Sequence, residues 1–145
     1  MMPMNSCRSF RTLLSALLIV AFVSPVVTSC SAQQTGFPKI AQQDLLKKIE
    51  SGNPPYIVDV RSPKEYVRGH VPGAVNIPYR QISDHLEQLR SEEQRGIVVY
   101  CAVGGRTRVA KQVLSEAGFR KVFHLDGDMS GWEKNGLPVE VPARR

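Results

Sequence analysis

Gly96 to Thr107 reads G-I-V-V-Y-C-A-V-G-G-R-T, and the rest of the chain arranges itself around this stretch. Ile97, Val98 and Val99 are consecutive β-branched residues in a short apolar run, the mark of a buried strand. From about Arg106 the pattern becomes helical. Val109, Val113, Leu114 and Ala117 are expected to face inward, and Gly118 stands as the C-terminal stop. Between strand and helix lies the loop C-A-V-G-G-R, Cys101 to Arg106.

The same alternation continues on both sides. Tyr56 to Val60 (YIVDV) and Lys121 to Leu125 (KVFHL) read as strands, with a brief one near Ala74 to Ile77. Ile40, Leu45, Leu46 and Ile49 mark an amphipathic helix halted by Gly52 and the Pro54-Pro55 pair. Ser62 and Pro63 fit the N-cap and first position of another helix. Ile82, Leu86 and Leu89 suggest a third, and Met129 to Lys134, carrying Trp132, a last short one. Strands alternating with helices predict an α/β fold with a parallel central sheet covered by helices on both faces. Ligands in such folds sit beyond the carboxyl ends of the strands, which is where Cys101 falls.

Taken alone, Cys101 also fits a small apolar residue at a strand end. Its surroundings argue for chemistry. Gly104 and Gly105 permit backbone angles that curl the loop and aim N–H groups at one point. The following helix adds the positive end of its dipole, and Arg106 adds a permanent charge that can fork toward an anion. Such a setting favours a thiolate.

With 145 residues, 42% hydrophobic and 22% charged, the chain is long enough for one cored domain. The formal charge is +6, but the basic residues are scattered, without the aromatic-interleaved stripe that nucleic-acid binding requires. Residues 1–29 read as a signal peptide. Arg8 and Arg11 precede an apolar core from Leu13 to Val23, too short to span a bilayer at about 20 residues, and small residues follow. Val27 to Cys30 (V-T-S-C) resembles the lipobox of bacterial lipoproteins, which implies a lipid on Cys30 and membrane attachment. Simple cleavage after Ser29 or Ala32, releasing the protein into the periplasm, is the alternative. Residues 30–37 then form a linker to a domain over 38–142. Cys7 leaves with the leader, and if Cys30 is lipidated Cys101 is left as an unpaired thiol in an exported protein. His70, His85 and His124 show no metal-ligand spacing, and no CxxC occurs.

Five segments in order resemble the rhodanese homology domain, over about Pro38 to Pro142. They are Asp59-Val60-Arg61 with Glu65-Tyr66, the G-H-V-P-G-A-V-N-I-P segment Gly69 to Pro78, the loop Cys101 to Arg106 with Thr107, Leu125-Asp126-Gly127 with Trp132, and Gly136 to Val139. The resemblance implies a sulfurtransferase that needs no metal or organic cofactor. Cys101 takes the outer sulfur of a small anionic donor such as thiosulfate, holds it as a persulfide, and passes it to cyanide or a thiol. Ala102, Val103, Gly104, Gly105 and Arg106 would bind the substrate. Asp59 and Arg61 are expected to form a structural ion pair, His70 to anchor its loop, and Trp132 to fill the core. Asp128 stands where the family has a second glycine, and is expected to alter that turn without touching the chemistry.

Three rivals remain at this point. Phosphatases and arsenate reductases of the same fold carry Cys-x5-Arg, whereas the spacing here is Cys-x4-Arg. A non-catalytic binding module would have no need to keep Cys101 and Arg106. A sulfur carrier serving a protein partner shares every residue with the free-standing enzyme.

Overall fold

A computed structural model describes residues 37–142. The expected leader, the lipobox-like Cys30 and all of the linker before Phe37 lie outside the described residues. Five strands form one wholly parallel sheet: β1 (Lys39–Ile40), β2 (Tyr56–Asp59), β3 (Val75–Asn76), β4 (Ile97–Tyr100) and β5 (Val122–Leu125), in the order β1-β5-β4-β2-β3. Between them run α1 (Gln42–Glu50), α2 (Pro63–Tyr66), α3 (Leu86–Glu92), α4 (Gly105–Glu116) and, after β5, α5 (Asp128–Lys134). No helix among the described residues is long and apolar enough to cross a membrane.

The central strand shows why both faces are covered. Successive side chains of a strand point to opposite sides, and all four residues of β4 are buried. Ile97 and Val99 pack into a core with Leu89 of α3 and Ala110 and Leu114 of α4. Val98 and Tyr100 enter a second core with Leu45 of α1 and Met129 and Trp132 of α5. Cys101 continues the alternation on the α3/α4 side. Trp132 fills its core as expected, and its indole N–H donates to the Pro138 carbonyl at 2.7 Å.

Three local expectations need correction. Lys39–Ile40 is an edge strand paired with β5, and the first helix starts only at Gln42. The helix expected around Ile82 and Leu89 opens as a 3-10 helix over Tyr79–His85 and becomes α-helical at Leu86. In α4, Val109 faces outward, 45% exposed, and the fully buried positions are Thr107, Ala110 and Leu114. Those three follow the i, i+3, i+7 rule of one helix face, set by a helix that begins at Gly105.

The register of α4 predicts opposite outcomes for two similar truncations. Leu114→Ala should cost about 2–5 kcal/mol in urea unfolding as a cavity opens in the core. Val109→Ala should stay within about 0.5 kcal/mol, as an exposed site does.

Candidate active site

Because all strands are parallel, their carboxyl ends share one edge of the sheet, and the residues singled out from sequence gather there. Cys101 leaves β4 and is 1% exposed. The chain curls through Ala102 and Val103 to Gly104, whose φ of +96° is open to glycine but strained for other residues. A Cβ there would also sit 3.2 Å from the Asp128 carboxylate. This turn brings the Gly104 N–H to the Cys101 sulfur, 3.1 Å away. The first amides of α4, which have no acceptors within the helix, follow at once.

The loop is pinned at both ends by Asp128. Its Oδ1 accepts the Cys101 N–H at 2.8 Å and the buried Thr107 hydroxyl at 3.1 Å, while Oδ2 lies 2.9 Å from His124 Nε2. The amides of Met129 and Ser130 donate to the carbonyls of Cys101 and Ala102. Burial works against the Asp128 charge, but its bonds from His124, Cys101 and Thr107 prevail and lower its pKa below the ordinary value. The sequence expectation for this residue is therefore corrected: Asp128 is bonded directly to the backbone of the proposed nucleophile. It reads as a mere turn substitution because no spacing rule links it to Cys101.

Arg106 does not stand free over the loop. Its guanidinium makes a two-pronged ion pair with Glu65, at 2.6 and 2.7 Å, which fixes it in one orientation. Arg106 holds the Glu65 carboxyl well below the usual carboxylate range, burial opposes this, and bonds from the Ser62 hydroxyl and amide add to the lowering. The Glu65 pair in turn raises the Arg106 pKa. Glu65 also closes the capping box of α2 by accepting the Ser62 N–H at 3.0 Å. In the sequence Glu65 stands out only as part of a signature; its partner is 41 residues away.

Asp59 and Arg61 form the expected buried ion pair, Nη2 to Oδ2 at 2.6 Å. They brace neighbours and do not touch the sulfur. Tyr100, the residue before Cys101, donates its hydroxyl to Asp59, and Arg61 donates to the Gly69 carbonyl. His70 is buried, stacks on Tyr66 and bonds its carbonyl through Nδ1, consistent with an anchor.

Comparison with known proteins finds the Rhodanese-like domain family over residues 41–135. The chain is 38% identical over 121 residues to an HTH-type transcriptional regulator of Mycobacterium tuberculosis, covering 81% of this chain and 52% of that one, about half its length. It is 40% identical over 94 residues to the chloroplastic thiosulfate sulfurtransferase 16 of Arabidopsis thaliana, covering 58% and 78% respectively. It is 35% identical over 104 residues to the thiosulfate:glutathione sulfurtransferase of Saccharomyces cerevisiae, covering 63% and 75%. Among solved structures, the rhodanese-like domain of an Anabaena protein superposes with a TM-score of 0.63 at 32% identity, over 76% of this chain and 88% of that one.

The Glu65–Arg106 pair predicts an acid-sensitive fold. The Glu65 pKa is depressed in the folded chain, so the stability it confers is complete above its unfolded value of about 4.3 and fades as the pH falls below it. Glu65→Gln should lower the urea midpoint at pH 7, and the gap from wild type should narrow at pH 3. An equal gap at both pH values would refute this account of the pair.

Proposed function

The chain belongs to the rhodanese-like family, and from that premise we propose that it is a thiosulfate sulfurtransferase with Cys101 as its sulfur-carrying nucleophile. The observation that carries this reading is the Gly104 amide directed at the Cys101 sulfur, in a loop clamped by Asp128 and flanked by the Arg106–Glu65 pair. A donor amide beside the sulfur can hydrogen-bond to negative charge that a transferred sulfur carries there.

The reaction runs in two steps. The Cys101 thiolate attacks the outer sulfur of thiosulfate; a new S–S bond forms, the old one breaks, and sulfite departs with its electron pair. Cyanide or a thiol then attacks the outer sulfur of the persulfide, and the Cys101 thiolate is restored. Splitting the transfer in this way is covalent catalysis. At 1% exposure, Cys101 admits only a slim terminal atom, which suits a sulfane sulfur and disfavours a bulky ester. Ala102 to Arg106 form the substrate-binding loop, with the Arg106 guanidinium held beside it by Glu65. Sulfurtransferase relatives in Arabidopsis and yeast support this class of reaction.

The protein is further proposed to be an exported bacterial lipoprotein, cut before Cys30 and held at the membrane by its lipid. The support is the leader pattern of residues 1–29 and the V-T-S-C sequence.

Thiosulfate treatment should add the mass of one sulfur to a peptide bearing Cys101, and cyanide should release it as thiocyanate. Cys101→Ser should reduce thiocyanate formation by about a thousandfold or more, as loss of a covalent nucleophile does. Brisk aryl-phosphate hydrolysis with no thiocyanate would overturn the assignment. For the anchor, Cys30→Ala should move the expressed protein from the membrane fraction to the soluble one; an unchanged distribution would refute lipidation.

A further inference from the structure

Beside the Cys101 loop lies a cleft of about 470 Å³, lined by Val103, Gly104, Gly105, Arg108, Lys111 and His124. It falls within the size range of small-ligand sites, about 300–1,000 Å³. Arg108 and Lys111 stand three residues apart on α4, so their side chains share one face. Neither has a carboxylate within salt-bridge distance among the described residues, whereas Arg61, Arg90, Arg95, Arg106 and Lys39 each have one.

Lys111 is half-buried, with its ammonium 5.7 Å from the centre of the Phe37 ring. Burial, and then the charge of Lys39, lower its pKa, and Asp128 offsets this only in part. The nearby carboxylates are already engaged. Asp128 is buried and shared among Cys101, Thr107 and His124, and Asp126 pairs with Lys39 at 2.7 Å. The cleft is therefore cationic, partly desolvated and only partly compensated by Asp128. It opens on the same Gly104 whose amide touches the sulfur.

Resting on the sulfur-transfer reading above, we infer that this cleft seats the acceptor, a thiol that carries carboxylates, with those carboxylates held by Arg108 and Lys111. Cyanide would occupy a fraction of such a space, and an uncharged thiol would leave both cations unanswered. A peptide-sized anionic thiol answers both and brings its sulfur to the loop. Its thiolate, having lost its proton to solvent, attacks the outer persulfide sulfur. The bond to Sγ breaks, its electron pair returns to Cys101, and the acceptor departs as a persulfide anion.

The test uses the full chain loaded with thiosulfate, with the persulfide verified by mass. Glutathione (two carboxylates), 2-mercaptoethanol (none) and cysteamine (cationic) serve as acceptors. In Arg108→Ala/Lys111→Ala the ratio of kcat/KM for glutathione over mercaptoethanol should fall about tenfold, the loss of two partly exposed ion pairs, chiefly through KM. Arg108→Lys/Lys111→Arg should restore it. Arg108→Glu/Lys111→Glu should turn the preference toward cysteamine, a gain that misfolding cannot produce. Ratios unchanged in every variant would overturn the cleft assignment while leaving sulfur transfer intact. A wild-type chain that never gains a sulfur would overturn both.

Discussion

A single carboxylate holds the sulfur-bearing loop in shape. Asp128 reaches from the start of α5 to the Cys101 amide at one end of the loop and to the Thr107 hydroxyl at the other. It does so from a left-handed backbone conformation, φ +52°, the only positive φ of a non-glycine residue among the described residues. That conformation costs about 1–2 kcal/mol for most side chains and is best tolerated by Asp and Asn. Each of the buried donors it satisfies would otherwise cost about 1–3 kcal/mol, so the strain is more than offset. With the two ends fixed, the Gly104 amide has one place to point, toward the sulfur.

The signature segments that lie apart in sequence act as one hydrogen-bonded frame around that loop. Asp59 and Arg61 tie the ends of β2 and β4 to the Gly69 turn through Tyr100 and the Gly69 carbonyl. Asn76 donates to the carbonyls of Asp59 and Arg61, and the Tyr66 hydroxyl to that of Ala74. Gly69 is required for a different reason. A Cβ there would sit 2.5 Å from Val139, where the C-terminal segment forms a two-residue bridge, His70 with Glu140. Buried polar groups paired this fully make the frame a single unit: losing one partner leaves the next unsatisfied.

The legibility of these features from sequence followed the range of the interactions that create them. β4, β5, α4 and the position of Cys101 were readable because apolar runs, glycine stops and strand-to-helix order are local signals. β1 was not, since two residues carry no periodicity and Ile40 fits the helical spacing of the residues after it. Val109 is misleading because a helix face depends on where the helix begins, and the exposed Val109 is as apolar as the buried Ala110 beside it. Glu65 and Asp128 act across 41 and 27 residues respectively. Nothing in their immediate neighbourhood announces that they meet the loop.

The depth at which Cys101 lies bears on how a two-sulfur chain reacts. A persulfide offers an attacking thiol two electrophilic atoms. Attack on the outer atom delivers sulfur; attack on the inner one expels sulfide and leaves the enzyme trapped as a mixed disulfide. With Cys101 at 1% exposure, the inner atom lies beneath its own loop. In the proposed persulfide the carried sulfur would extend about 2 Å from it, one S–S bond length. On the proposed persulfide mechanism, depth would thus direct attack to the outer sulfur, and widening the loop mouth would open the inner one to self-inactivating attack.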